Sequence, residues 1–385
     1  MKILFLLLSI ALIVLISRKI NISYSILISS LILSFLLFGN PVPFFEGFFE
    51  WSTVRTLLLV ALAVSLGSYM EKTGMLENIT ESLKALSLFN LILIPMLIGL
   101  LPMPGGALVS AVMIYKIIEK YKIDPEKATF LNYWFRHVWV PFWPLYPSVI
   151  IAISVLEMDY WSFALSTFPI SLAALFSSFY SIKWLESNFE GQIDLSRFLK
   201  SFYPIIILVF LTILGLDILI SLSIVLLLMI LHKRTFKIKF DWKILVLVLA
   251  VSGYKNLIET AEIAEEFLNF SFLPPIVVAN LLSFTVAFAT GIELSYSSIA
   301  LPILADFAKS NGNLILIVAS GYLGVMLSPL HLCYILTAEH FRADLVKTYK
   351  FLIPAALFTY IISILCFIII NFISNLQFLD QTYSD

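Results

Sequence analysis

Four ionisable side chains lie in apolar surroundings where charge is expensive: Arg136, His137, Glu293 and His331. Arg136 and His137 occur in Asn132-Tyr133-Trp134-Phe135-Arg136-His137-Val138-Trp139, just ahead of Pro141-Phe142-Trp143-Pro144-Leu145-Tyr146-Pro147. An arginine inside a bilayer is costly and is by default a functional candidate. Its planar fork suits a carboxylate or phosphate. The competing reading has it snorkelling to the cytoplasmic interface, with the neighbouring aromatics as a belt. Glu293 follows Gly291 in Phe288-Ala289-Thr290-Gly291-Ile292-Glu293. It could hold a proton or Na⁺, pair with Arg136, or sit on an exposed turn. His331, after Ser328-Pro329-Leu330, could donate to a substrate, carry a coupling proton or simply pack; His137 is a further coupling candidate. Glu339 and His340 do not form a metalloprotease motif, and no nucleotide-binding glycine motif occurs. The two cysteines, Cys333 and Cys366, sit in apolar runs with neither a disulfide framework nor zinc-ligand spacing, so no resident metal is expected.

The elements that must position these groups follow from composition. Of 385 residues, 61% are hydrophobic and 13% charged, against roughly 25% charged in soluble domains. A water-soluble fold is excluded, and the near-balance of 24 basic and 25 acidic residues offers no face for nucleic acid. The expected class is an all-α polytopic protein of the cell (inner or plasma) membrane, with the bilayer as its medium. Spanning stretches fall at 3–17, 21–38, 53–70, 161–182, 202–216, 217–231, 243–258 and 351–373. The first reads as a retained helix rather than a signal peptide. Four further stretches, 89–118, 128–156, 274–305 and 313–338, carry Pro or Gly near their middles and cannot be regular helices throughout.

Reading 89–118 and 274–305 as re-entrant hairpins sorts the charges. Most basic residues, among them Lys116, Lys120, Lys122, Lys127, Lys183, Arg197, Arg342 and Lys350, then fall on one side. That side is cytoplasmic, with loops at 71–88, 116–127, 183–200, 232–243 and 339–350, and both termini extracytoplasmic. Pro144-Leu145 and Pro329-Leu330, Gly106 and Gly291, and Pro169 and Pro354 are each 185 residues apart. Two repeats are expected, 1–190 and 191–385. Each has about five transmembrane helices, one re-entrant hairpin (89–118; 274–305) and one discontinuous helix (128–156; 313–338). Five crossings per repeat require the second to be inverted, the architecture of secondary transporters.

Helix ends inside a membrane aim unpaired amides at a cavity, where an anion is a natural guest and exposed carbonyls at the opposite ends could hold Na⁺. Gly105, Gly106 and Gly291 permit close approach of backbone to ligand. Ser295, Ser297 and Ser298 form a polar hairpin face whose commoner use is helix–helix bonding.

The breaks at Leu101–Ala107, Asn132–Pro147 and Ser328–Leu332 resemble those of an uncharacterised prokaryotic membrane family, domain of unknown function 401. More broadly the pattern resembles the ion-transporter superfamily, which includes gluconate permeases, divalent-anion/sodium symporters, arsenite permeases and the large subunits of TRAP transporters. That resemblance implies a homodimer whose transport domain moves elevator-fashion. It also implies a midplane site lined by Pro102, Gly105, Gly106, Asn132, Arg136, Pro144, Tyr146, Thr290, Gly291, Ser295, Ser328 and Pro329. The Ser-Asn-Thr tips of characterised symporters are not present; Thr290-Gly291 alone is similar. The expected function is a secondary active transporter of a small anionic (carboxylate-type) or polar solute coupled to H⁺ or Na⁺, and not an enzyme. The alternatives are a membrane-embedded enzyme acting on lipid or peptide, or an exporter or passive channel.

Overall fold

The computed structural model describes residues 1–17, 19–101, 106–178, 192–233, 242–268, 273–310 and 312–382. Among the described residues the chain is entirely helical. The first half comprises α1 (Lys2–Ser17), α2 (Ile22–Phe38), α3 (Val42–Glu46), α4 (Trp51–Lys72), α5 (Met75–Ser82), α6 (Asn90–Gly99), α7 (Gly106–Tyr121), α8 (Pro125–Arg136), α9 (Pro147–Leu156) and α10 (Tyr160–Ser177). The second comprises α11 (Leu195–Ile213), α12 (Ile218–Lys233), α13 (Trp242–Thr260), α14 (Ile263–Leu268), α15 (Pro275–Thr290), α16 (Leu301–Lys309), α17 (Asn313–Leu327), α18 (Leu332–Phe341) and α19 (Leu345–Thr382).

Five helices, counting Asn313–Phe341 as one, are long and apolar enough to cross a membrane. The outermost show why lipid is needed. In α19 only 22% of the most apolar window is buried, and Ile353, Leu357, Ile361, Leu365, Ile368 and Phe372 form an exposed apolar stripe. In water such a stripe is an unsatisfied hydrophobic surface; against acyl chains it costs nothing.

All four interrupted stretches are interrupted where the prolines and glycines fall. The stretch 89–118 contains α6 and α7, with residues 102–105 outside the described set; 274–305 contains α15, a turn at 291–293 and α16, which a short π-type stretch (Tyr296–Ala300) precedes. Pro147 and Pro329 push the residues before them into extended backbone, Tyr146 at φ −70°, ψ 126° and Ser328 at φ −71°, ψ 125°. Tyr146 and His331, 185 apart, each precede a ten-residue helix, α9 and α18. Those helices end on Glu157 (φ 53°) and Arg342 (φ 57°), again 185 apart. Helix pairings recur in matching order: α6 packs on α8 and α15 on α17, α7 on α18 and α16 on α9, α10 on α17 and α19 on α8.

The loops are shorter than the charge pattern implied. The expected loops 116–127 and 339–350 reduce to 122–124 and 342–344, because the apolar faces of α7, α8, α18 and α19 run on under the charged residues. The expected loop 71–88 contains α5, which buries Met75, Leu76 and Ile79, and then a 3₁₀ segment. Of 183–200, helix α11 already occupies the residues from Leu195. Residues 179–191, with the expected repeat boundary at 190, and 234–241 of the loop 232–243 lie outside the described residues. Within α13, Lys255 is buried; it pairs with Glu157 Oε1 at 2.7 Å, tying α13 to the end of α9, and lies 3.5 Å from Glu259 Oε1 one turn on.

At Gly99 a Cβ would lie 2.1 Å from the Arg136 carbonyl oxygen, a backbone contact that cannot yield cheaply. Gly99→Ala is therefore expected to cost roughly 1–3 kcal/mol by forcing α6 off the first break. Thermal unfolding of the detergent-solubilised protein measures this, and an unchanged midpoint would contradict the close approach.

Candidate functional site

Each break docks on the end of its neighbouring interrupted helix. The last carbonyls of a helix have no partner within it, and burial without one is expensive. At the end of α6 the donors are aromatic: Trp139 Nε1 donates to Met96 O at 2.8 Å, Trp143 Nε1 to Leu100 O at 2.9 Å, and Tyr146 Oη to Gly99 O at 2.5 Å. Trp139, Trp143 and Tyr146 are thus donors to stranded carbonyls. At the end of α15 the donors come from the second break. Ser328 Oγ donates to Phe288 O at 2.7 Å and His331 Nδ1 to Gly291 O at 2.7 Å. Gly291, at φ 64°, lies so close to that break that a Cβ would stand 2.6 Å from the Leu330 carbonyl carbon.

The two breaks also meet each other. Asn132, buried on α8, donates to Ala107 O on α7 at 2.9 Å and to Thr337 Oγ1 on α18 at 3.2 Å. Tyr133 Oη reaches Val325 O and Met326 O, both at 3.3 Å, near the end of α17. Arg136 is only 3% exposed. Its Nη1 lies 3.3 Å from His137 Nε2 and points to Cys333 Sγ at 3.9 Å. The arginine therefore turns into the protein, toward the second break, rather than to its surface. Glu293 projects from the turn after α15, its Oε1 3.2 Å from His137 Nε2 and 4.0 Å from His331 Nε2. Its side chain is 21% exposed, so it stands at the edge of the cluster rather than on an open turn.

Both imidazoles are oriented by backbone. His137 Nδ1 donates to Tyr133 O at 2.6 Å and His331 Nδ1 to Gly291 O at 2.7 Å. A carbonyl oxygen only accepts, so each Nδ1 carries the hydrogen and each neutral ring presents its Nε2 lone pair to the cluster. The two Nε2 atoms face one another at 3.4 Å.

The remaining sequence candidates divide. Gly106 is buried, its carbonyl accepting from Ser110 Oγ at 3.2 Å; Pro144 is buried in the first break. Thr290 Oγ1 donates to Ser295 Oγ at 2.8 Å, and Ser295 Oγ to Ile292 O at 2.7 Å. That turn is held by its own hydroxyls, and the Gly291 and Ile292 carbonyls accept hydrogen bonds from His331 Nδ1 and Ser295 Oγ. Ser297 and Ser298 bond to Leu294 O within their own helix. Pro329 is exposed, and Ser328 before it is in extended backbone. Pro102 and Gly105 lie outside the described residues. Sequence reasoning missed Cys333 as a member of the cluster. Its signal was weak, a thiol two residues beyond His331 on the first turn of α18.

A family described as "Protein of unknown function (DUF401)" matches residues 1–370. The chain belongs to that family. A search among curated proteins found no match.

Asn132 is the polar clasp between the halves of the site. Asn132→Leu leaves the Ala107 carbonyl and the Thr337 hydroxyl without their donor and is expected to cost about 1–3 kcal/mol, whereas Tyr146→Phe, removing one hydroxyl donor, costs about 1 kcal/mol. Paired thermal unfolding curves check both the sign and the order.

Proposed function

We propose that the protein is a secondary active transporter of a small anionic, carboxylate-type or polar solute, driven by an H⁺ or Na⁺ gradient. The observation that carries this reading is the meeting of two interrupted helices around Arg136, in the interior of a chain whose outer faces are apolar. Helices α9 and α18 both begin at that junction, so the positive ends of their dipoles and the guanidinium together favour a negatively charged guest. Interrupted helices converging on a buried charge are the usual construction of transporter sites.

The matching backbone at Tyr146 and His331 and at Glu157 and Arg342, with the recurring helix pairings, supports two inverted repeats. In this reading α6–α7 and α15–α16 are re-entrant hairpins, and α8–α9 and α17–α18 are the discontinuous helices. Both termini are extracytoplasmic in a multi-pass cell-membrane protein. The broader likeness to the ion-transporter superfamily adds a homodimeric, elevator-type cycle. In it Arg136 and the half-helix amides bind the solute, with Asn132 tying α8 to α18 and Tyr146 tying the first break to the end of α6.

One observation favours the alternative of a membrane-embedded enzyme. Cys333 Sγ and the ligand nitrogens of His137 and His331 all lie within 4.8 Å of one another, a possible nucleophile and base. A covalent product from labelled lipid or peptide would support that reading over transport.

Proteoliposomes carrying the full chain, challenged with labelled small carboxylates under imposed proton or sodium gradients, are expected to show gradient-dependent uptake. Arg136→Ala should reduce it roughly 10- to 100-fold, the loss of a charge-assisted hydrogen bond. Full uptake by that variant would remove the arginine from the solute site, and no accumulation of any carboxylate under either gradient would count against the assignment.

A further inference from the structure

We propose that His137, His331, Cys333 and Glu293 form a binding site for a single d-block dication of the Zn²⁺ class, held between the two helix breaks. This inference stands apart from the transport reading, since the ion would bind whether or not the chain moves a solute.

Donor geometry carries the inference. In a tetrahedral site with Zn–N distances of about 2.0–2.1 Å, two coordinating nitrogens stand roughly 3.3 Å apart. The two Nε2 atoms are separated by 3.4 Å, and Glu293 Oε1 lies 3.2 Å from one of them. Cys333 Sγ completes a set in which the sulfur and both nitrogens lie within 4.8 Å of one another. Glu293 is not part of that three-donor set; its Oε1, 4.0 Å from His331 Nε2, stands at the edge of the cluster and would have to swing in to become the fourth ligand.

Orientation carries it further. A metal-bound histidine characteristically donates its other ring N–H to a carbonyl, which fixes the tautomer and aims the free lone pair. Both histidines do so, to Tyr133 O and Gly291 O. Two lone pairs aimed at each other across 3.4 Å repel unless a proton on one ring or a cation lies between them. At present Arg136 Nη1 supplies part of that charge, 3.3 Å from His137 Nε2. As the end of a long flexible stem, it is the group that yields when an ion enters.

The donor types choose the ion. Two imidazoles, one thiol and one carboxylate suit Zn²⁺, Co²⁺ or a similar borderline-soft ion, whereas Mg²⁺ and Ca²⁺ require oxygen shells. On coordination the thiol releases its proton to solvent and binds as thiolate. Thiolate and carboxylate together then neutralise the dication, and Arg136 keeps its positive charge.

The test uses the full-length protein in detergent, stripped with chelator, kept reduced and titrated with Co²⁺ alone. The expected result is one equivalent bound per chain with a thiolate-to-cobalt charge-transfer band and the intense visible bands of a four-coordinate ion, all displaced by Zn²⁺. Cys333→Ser should abolish the charge-transfer band, His331→Ala should weaken binding by about 100-fold or more, and Cys366→Ser should change neither. Unchanged thermal unfolding of the stripped Cys333→Ser variant separates loss of a ligand from loss of fold. Absence of the charge-transfer band in the unsubstituted protein, or its persistence in Cys333→Ser, would overturn the proposal.

Discussion

The structure turns on the carbonyl groups stranded where α6 and α15 stop short. Buried carbonyls without a partner are costly, so each must be met by a donor from the protein. The chain meets them with the two proline-bent segments, which are themselves short of regular hydrogen bonds. Indole and phenol donors from Trp139, Trp143 and Tyr146 serve α6; Ser328 and His331 serve α15. Each interruption is stabilised by another, so neither half of the pair is plausible alone.

That mutual satisfaction is also what assembles the chemistry. His331 Nδ1 is committed to the Gly291 carbonyl, and this leaves its Nε2 facing inward. His137 is committed in the same way to Tyr133. Arg136, at the end of α8, has its backbone pressed against Gly99 and its guanidinium directed to the opposite break. The cluster of ionisable side chains is thus a by-product of backbone accounting. A solute anion and a metal ion draw on different parts of it, the first on the guanidinium and helix ends, the second on the ring nitrogens, thiol and carboxylate.

Much of the architecture was legible in residue order. Long apolar runs located α1, α2, α4, α10 to α13 and α19, and proline and glycine located the interruptions, because both depend on local chemistry. Helices such as α5 and α14 were not legible, since short amphipathic segments carry too little apolar length to stand out from a loop. Within the site, Arg136, His137, Glu293 and His331 were conspicuous as ionisable groups in apolar sequence. Their partnership was not: His137 and His331 are 194 residues apart, and no spacing rule connects them. Cys333 stood only as one of two cysteines in apolar runs, for the same reason. The roles of Trp139 and Trp143 depend on carbonyls exposed by a helix end that sequence alone does not place.

The most direct test of this account is whether the two breaks touch inside the protein. In a background lacking Cys333 and Cys366, cysteines placed at Asn132 and Thr337, whose side-chain atoms lie 3.2 Å apart, should be joined rapidly by a short bifunctional thiol reagent in native membranes. After proteolysis at a cleavage site introduced between Ser178 and Gln192, the two fragments should then migrate as one species. Fragments that separate, from a protein shown to be folded and labelled at both positions, would contradict the account.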